Sequence, residues 1–441
     1  MKNFIRSLSV KGIKNISEQV DLNFCKCDVS SFDDAKNYNV KAIYGPNGSG
    51  KTGIVHSFQV LQNMVLKSNY LHDDKTTTYL KELLNKKCNK IDISISFLHE
   101  MNEKQNGVYF YDLVIINDQN DFEILSERYA KKDNESSKEI VIFSSEKGIV
   151  KNSKFSEYSI DTFKNLLTKR SFANILFDII IKKASGKDKN GDSAFENDID
   201  LVFPIISLIA NMNVIIDTKD DHLVKIKNKL SKTDEIVRIQ KQWDTFSKLS
   251  QSGYNSELLT KQEIEKLKVI LKRKLKFLQL FKPEVVSIEI NEELIKSSSS
   301  EELYAVNQMN NYGDYMIDIE FESVGIKKLI ELYSALEHVT RGGILVIDEL
   351  DSHINDIYLV KIISYVSEYA MGQLIFTTHN ISPMEILKTK KMSLDFMSSS
   401  SIITTWTQLG NYSPSKLYQK GMIKGLPFNV EAEDFIEVFS E

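Results

Sequence analysis

The chain has 441 residues, of which 42% are hydrophobic and 27% charged, a globular composition with material for two or three domain-sized units. A formal net charge of −5 excludes nucleic-acid binding that rests on overall charge alone. The longest apolar candidates, residues 175–181 and 202–210, fall short of the roughly 20 residues a membrane helix requires, which excludes a fused transporter and leads us to expect no membrane contact.

The N-terminal residues read as a strand carrying Lys and Arg, without a secretory apolar core. Cys25-x-Cys27 follows, and Cys88 is the third cysteine. No even framework results, so a reducing, cytoplasmic setting is expected. With no second Cys/His pair nearby, the first two read as half-buried thiols rather than metal ligands.

The strand Lys41-Ala42-Ile43-Tyr44 runs into Gly45-Pro46-Asn47-Gly48-Ser49-Gly50-Lys51-Thr52 and on into the helical pattern of residues 54–58. That G-x-x-x-x-G-K-T spacing builds a phosphate cradle. Its glycines let backbone N–H groups turn inward, and the helix that follows starts with its positive end on the anion. Lys51 would reach the β- and γ-phosphates of a nucleotide, and the Thr52 hydroxyl would ligand Mg²⁺.

Residues 91–98, 108–116 and 122–129 alternate enough to predict antiparallel strands. Residues 155–282 read as helical, with apolar-rich segments at 163–167, 175–183 and 201–211 and polar breaks at 185–192 and 217–221. Within 261–281, Ile264, Leu267, Leu271, Leu275, Leu278 and Phe281 recur three and four apart, the period of an amphipathic helix. Lys261, Lys266, Lys268, Lys272, Arg273, Lys274 and Lys276 crowd the same segment. Residues 297–300 read as a short serine loop.

Further on, Gly342-Gly343-Ile344-Leu345-Val346-Ile347-Asp348-Glu349 is an apolar run ending in two carboxylates, as a buried parallel strand would. Asp348 can hold Mg²⁺ through water, and Glu349, pointing elsewhere, can polarise an attacking water as general base. Gln373-Leu374-Ile375-Phe376-Thr377-Thr378-His379-Asn380 repeats the logic. It delivers His379 to the strand edge where ligands of open α/β sheets sit, in reach of a γ-phosphate.

P-loop, Asp348-Glu349 and His379 resemble the Walker A, Walker B and switch histidine of ABC-type ATPases. The resemblance is to the group of RecF, SMC-like heads and overcoming-lysogenisation-defect-like ATPases, and to small prokaryotic ATPases of antiphage defence systems. The opening segment, residues 5–16, and Ser413-Pro414-Ser415-Lys416-Leu417-Tyr418 with Gly421 and Gly425-Leu426-Pro427 are similar to that group's ends. The implied fold is α/β: an ABC/SMC-head-like P-loop ATPase with mixed sheet and a helical insertion serving as short arm or lid. The implied division is an N-terminal ATPase lobe over 1–145, the insertion over 155–282 and a C-terminal ATPase lobe over 283–441.

The resemblance also implies a composite site. Glu322-Ser323-Val324-Gly325-Ile326-Lys327 occupies the place of a signature segment, whose Ser323 and Gly325 would contact the γ-phosphate held by a second copy. Ile326 stands where Thr is frequent, and Ser323 can equally be read as a plain helix cap. Asp351 and Ser352 match the D-loop, although Asn355-Asp356 replaces the usual His-Pro. No Mg²⁺-sensing glutamine is assignable, since the turn after residues 91–98 offers only His99 and Glu100.

Two functions follow from the resemblance. One is a switch that binds and hydrolyses ATP with Mg²⁺ and assembles through its ATP sites into a head-to-tail homodimer or higher homo-oligomer. It would control a separate effector, a toxin or nuclease, in antiphage defence. The other is a RecF-like ATP-dependent DNA-binding repair clamp, for which the basic 261–281 helix would track DNA backbone if it is not merely a solvated face. The stretch after His379 is too short for a Toprim nuclease domain, so any nuclease is expected on another chain. A signature other than L-S-G-G-Q argues against a transporter subunit.

Overall fold

In the computed structural model, residues 2–101, 106–118, 121–133, 137–163, 165–184, 193–216, 259–297, 302–407 and 413–423 are described. The predicted breaks at 185–192 and 217–221, most of the 297–300 loop, and Gly425-Leu426-Pro427 lie outside them.

The continuous apolar runs form the centre of a six-stranded sheet. Its order is β16 (Ile403–Thr405), β15 (Leu394–Met397), β3 (Val40–Tyr44), β14 (Gln373–Thr377), β13 (Ile344–Ile347) and β9 (Met212–Ile215). All neighbours pair in parallel except the β15–β16 edge, which is antiparallel. Every residue of β3, β13, β14 and β15 is buried, as a parallel sheet covered on both faces requires. The carboxyl ends of β3, β13 and β14 thereby meet at one edge.

Two cores sandwich this sheet. On one side, the helix Lys51–Leu66 puts Ile54, Val55, Phe58 and Leu61 into a core shared with Ile91, Ile93, Ile95 and Phe97. Those isoleucines belong to a seven-stranded antiparallel sheet ordered β2 (Val20–Asn23), β1 (Lys2–Lys11), β4 (Lys90–Glu100), β5 (Gly107–Asp118), β6 (Asp121–Lys132), β7 (Ile140–Glu146) and β8 (Ile149–Ser153). On the other side, Val40, Ala42 and Tyr44 pack with Leu329 and Leu336 of the helix Val324–Thr340 and Leu359 and Ile363 of the helix Asp356–Tyr369. The strand period of two thus assigns alternate β3 residues to different cores.

Residues 155–216 are not helical throughout. The helices Phe172–Ala184 and Ser193–Ala210 join the first core, and the chain then enters β9 at the edge of the P-loop sheet. Gln62 fastens this piece to the P-loop helix, its Nε2 donating to Met212 O at 2.7 Å. The helix Lys261–Gln279 opens with a capping box between Thr260 and Glu263. It lays Ile264, Leu267 and Leu271 on Ile288, Ile290, Tyr304 and Val306, the apolar face of a small sheet of β10 (Ser287–Ser297), β11 (Glu302–Asn311) and β12 (Met316–Asp318).

Candidate active site

The loop after β3 is held open by its backbone. Gly48 and Gly50 have φ of +78° and +112°, conformations that L side chains disfavour. At Gly45 a Cβ would fall 2.4 Å from Met397 O, so only glycine lets the loop pass the end of β15. The loop is braced from outside as well: Asn15 Nδ2 donates to Gly48 O, and Ser401 Oγ donates to Ser49 O at 2.9 Å.

Lys51 opens the following helix and is only 6% exposed. Its Nζ donates to Gly45 O at 2.8 Å and Pro46 O at 3.1 Å. Burial lowers its pKa, while the carboxylates of Asp348, Glu349 and Asp351 oppose that shift. A buried ammonium that satisfies only carbonyl dipoles, facing carboxylates across a cleft, is matched to an anionic ligand arriving with a cation.

Asp348 follows β13 and is buried. Thr377, at the end of the neighbouring β14, donates its hydroxyl to Asp348 Oδ1 at 2.5 Å and accepts the Glu349 N–H at 2.8 Å. Glu349 itself is exposed to the cleft, with φ of +46°. His379 stands at the rim; burial and the Lys51 charge lower its pKa, against Asp351 and Asp348, which favours the neutral imidazole. Asn380 ties this turn to the start of the helix Asp356–Tyr369 by donating to Asp356 Oδ1 at 2.7 Å.

Together these residues border a cavity of about 220 Å³ lined by Asn47 to Gly53, Asp348, Glu349 and His379, with Lys14 and Asn15 closing the near wall. Lys14 and Asn15 escaped the sequence reading, which took them only as part of the opening segment. The only sequence clue was the polar Gly12-Ile13-Lys14-Asn15 break after an apolar strand; in the structure Gly12 and Lys14 both have positive φ. Among the described residues no cluster of three His, Cys, Asp or Glu side chains is arranged to hold a metal. The donor set of Thr52 and Asp348 instead fits Mg²⁺ completed by phosphate oxygens and water.

Ser323 and Gly325 lie outside this cleft. Ser323 caps the helix Val324–Thr340, accepting from Ile326 N at 3.4 Å. Behind it the buried Glu322 carboxylate accepts from Asn310 Nδ2 at 2.8 Å and Tyr312 OH at 2.6 Å. Gly325 abuts the turn after β13: a Cβ there would sit 3.0 Å from His353 O. Ile326, the position that departs from the signature, is buried in the core. His99 and Glu100 do not line the cleft either. His99 is buried against Asn3 Oδ1 at 2.8 Å, where burial pushes its pKa down to about 4, and Glu100 pairs with Lys2 at the surface.

A P-loop at the end of a central strand, an acid pair on the strand two places away and a histidine on the strand between define the nucleotide-binding head of a P-loop ATPase. Residues 41–384 match the family described as "AAA domain, putative AbiEii toxin, Type IV TA system", and the chain belongs to that family. The sequence matches no curated protein. Among solved structures it is similar to an Smc head bound to the C-winged helix domain of ScpA (15% identity, 94% of this chain and 99% of that one, TM-score 0.44). It is also similar to the Pyrococcus furiosus Smc head bound to the C-terminal domain of ScpA (14%, 95% and 99%, TM-score 0.38). A third is the recombination mediator protein RecF-ATPrS of the RecFOR pathway (13%, 92% and 99%, TM-score 0.35). No helix among the described residues is long and apolar enough to cross a membrane.

Proposed function

We propose that the chain is an ATP-hydrolysing switch that closes on a second copy of itself and passes its nucleotide state to a separate effector in a defence system. The observation that carries this is Lys51, a buried ammonium on a glycine cradle, facing Asp348 and Glu349 in one cleft. In this reading Lys51 would turn from the loop carbonyls to the β- and γ-phosphates, and Thr52 and Asp348 would hold Mg²⁺, whose charge would offset that of the phosphates. Glu349, unburied and next to the metal-binding acid, takes the proton of the attacking water. His379 offers a hydrogen bond to the γ-phosphate. The family's toxin-type description supports effector control.

The RecF-like alternative draws less support. Of the basic helix, Lys261 and Lys268 pair with Glu292, Arg273 pairs with Glu337 at 3.5 Å, and Lys274 is buried. Part of the ridge is therefore matched by the chain's own carboxylates, which lowers the charge it offers a polyanion.

Phosphate-release assays test the reading. Lys51→Ala should lose nucleotide binding. Glu349→Gln should bind ATP normally but turn over about 10²–10⁴-fold more slowly, the usual contribution of a general base. Wild-type turnover in Glu349→Gln would remove Glu349 from that role.

A further inference from the structure

The geometry points to Thr377 as the positioning residue of the acid pair: one hydroxyl sets both the metal-binding orientation of Asp348 and the backbone conformation that aims Glu349. This rests on the ATPase reading above. Thr377 is fully buried at the end of β14. Its Oγ1 gives its only proton to Asp348 Oδ1 at 2.5 Å and takes the Glu349 N–H at 2.8 Å. The backbone adds a third tie, Leu350 N donating to Thr377 O at 3.1 Å.

The two acids need such a holder for different reasons. A carboxylate turns freely about its last bond, and a hydrogen bond to one oxygen leaves the other directed at the cleft. Glu349 has φ of +46°, a region that costs a non-glycine residue of order 1–3 kcal/mol and persists only where surroundings impose it. The Glu349 N–H bond to Thr377 Oγ1 and the Leu350 N–H bond to Thr377 O bracket this residue and hold it there. A threonine that merely filled the core could be exchanged for valine, its isostere, without consequence for the acids. Here the exchange leaves a buried carboxylate oxygen and a backbone N–H both without their partner.

Thr377→Val is the test, read in two ways. In phosphate release, turnover should fall about 10- to 100-fold, as for other groups that orient metal-binding residues, with the KM for ATP little changed. Thr377→Ser, which keeps the hydroxyl, should restore turnover to within about threefold of wild type. The second readout needs no turnover: in a Glu349→Gln background, binding of a fluorescent ATP analogue is titrated with Mg²⁺. Thr377→Val should raise the Mg²⁺ midpoint about tenfold while leaving Mg²⁺-free affinity unchanged. A wild type that fails to hydrolyse ATP would defeat the ATPase reading, and the Mg²⁺ titration would still decide Thr377. An unshifted midpoint, or a Thr377→Ser as impaired as Thr377→Val, overturns the assignment. Should Thr377→Val not fold, Thr377→Cys, a weak donor of similar size, takes its place. Wild-type turnover and midpoint in Thr377→Cys would equally overturn it.

Discussion

Glu127 shows how far a single residue can be moved from its ordinary chemistry by the core that surrounds it. It lies on β6, 1% exposed, accepting from Tyr111 OH at 2.6 Å and from Phe172 N at 3.0 Å, at the start of the helix Phe172–Ala184. Burial pushes its pKa up to about 7, against both hydrogen bonds. The folded state therefore holds this proton more tightly than the unfolded chain, whose carboxyl has the ordinary value of 4.5. The contribution to stability is complete below about pH 4.5 and is lost as pH rises toward about 7, a change of order 3 kcal/mol. Glu127→Gln keeps the shape and can still accept from Phe172 N while donating to the Tyr111 oxygen. Urea unfolding at pH 5 and pH 8 should show the wild type losing stability relative to Glu127→Gln across that interval. A pH-independent difference between the two proteins would show that Glu127 does not carry this proton.

At the scale of elements, the sheet that presents the site is pinned by an ion pair below the loop. Lys41 on β3 and Asp395 on β15 are 2.9 Å apart and both wholly buried. Burial lowers the Lys41 pKa and Asp395 opposes this. The two strands run parallel with Asp395 opposite Ile43, and slipping their register would separate the charges and displace Met397 from Gly45. Removing one member should cost about 3–5 kcal/mol, because the other charge is left buried and alone. Lys41→Met should therefore unfold at markedly lower urea than wild type, and Lys41→Met with Asp395→Leu should regain most of the loss, since an apolar pair of similar volume is often neutral. Additive losses in the double variant would mean the two charges do not stabilise each other.

The same sheet explains which elements were legible. β3, β13 and β14 are continuous apolar runs that end in chemically pointed residues, so both period and motif declared them. β9 is four residues directly behind the apolar helix Ser193–Ala210, and nothing in its own pattern separates it from that helix. β15 is also four residues and carries a charged Asp395, a residue that reads as surface until its partner Lys41 is known. The P-loop, the acid pair and His379 were visible as motifs. Thr377 was not, because its role is to touch two atoms brought close only by the pairing of β13 with β14.

At the scale of the molecule, the decisive feature is the separation of Ser323 and Gly325 from the chain's own nucleotide cleft. We infer that they serve a second copy. Ser323 is exposed at the start of the helix Val324–Thr340, flanked by Phe321 at 82% and Val324 at 55% exposure, apolar surface that gains by being covered. A γ-phosphate held in a partner's cleft would meet the Ser323 hydroxyl and the helix's positive end. Light scattering of Glu349→Gln should then show monomer without nucleotide and dimer with ATP and Mg²⁺. Adding Ser323→Glu should abolish the dimer by placing a carboxylate against that phosphate, at a cost of about 1 kcal/mol in lost capping. Because Ser323 does not line the chain's own cleft, nucleotide affinity of the monomer should be unchanged by it. A monomer mass that ignores nucleotide would remove the second copy from the reading, and a higher-oligomer mass that ignores it would make the assembly a constitutive scaffold, with ATP acting inside it to hold or release an effector.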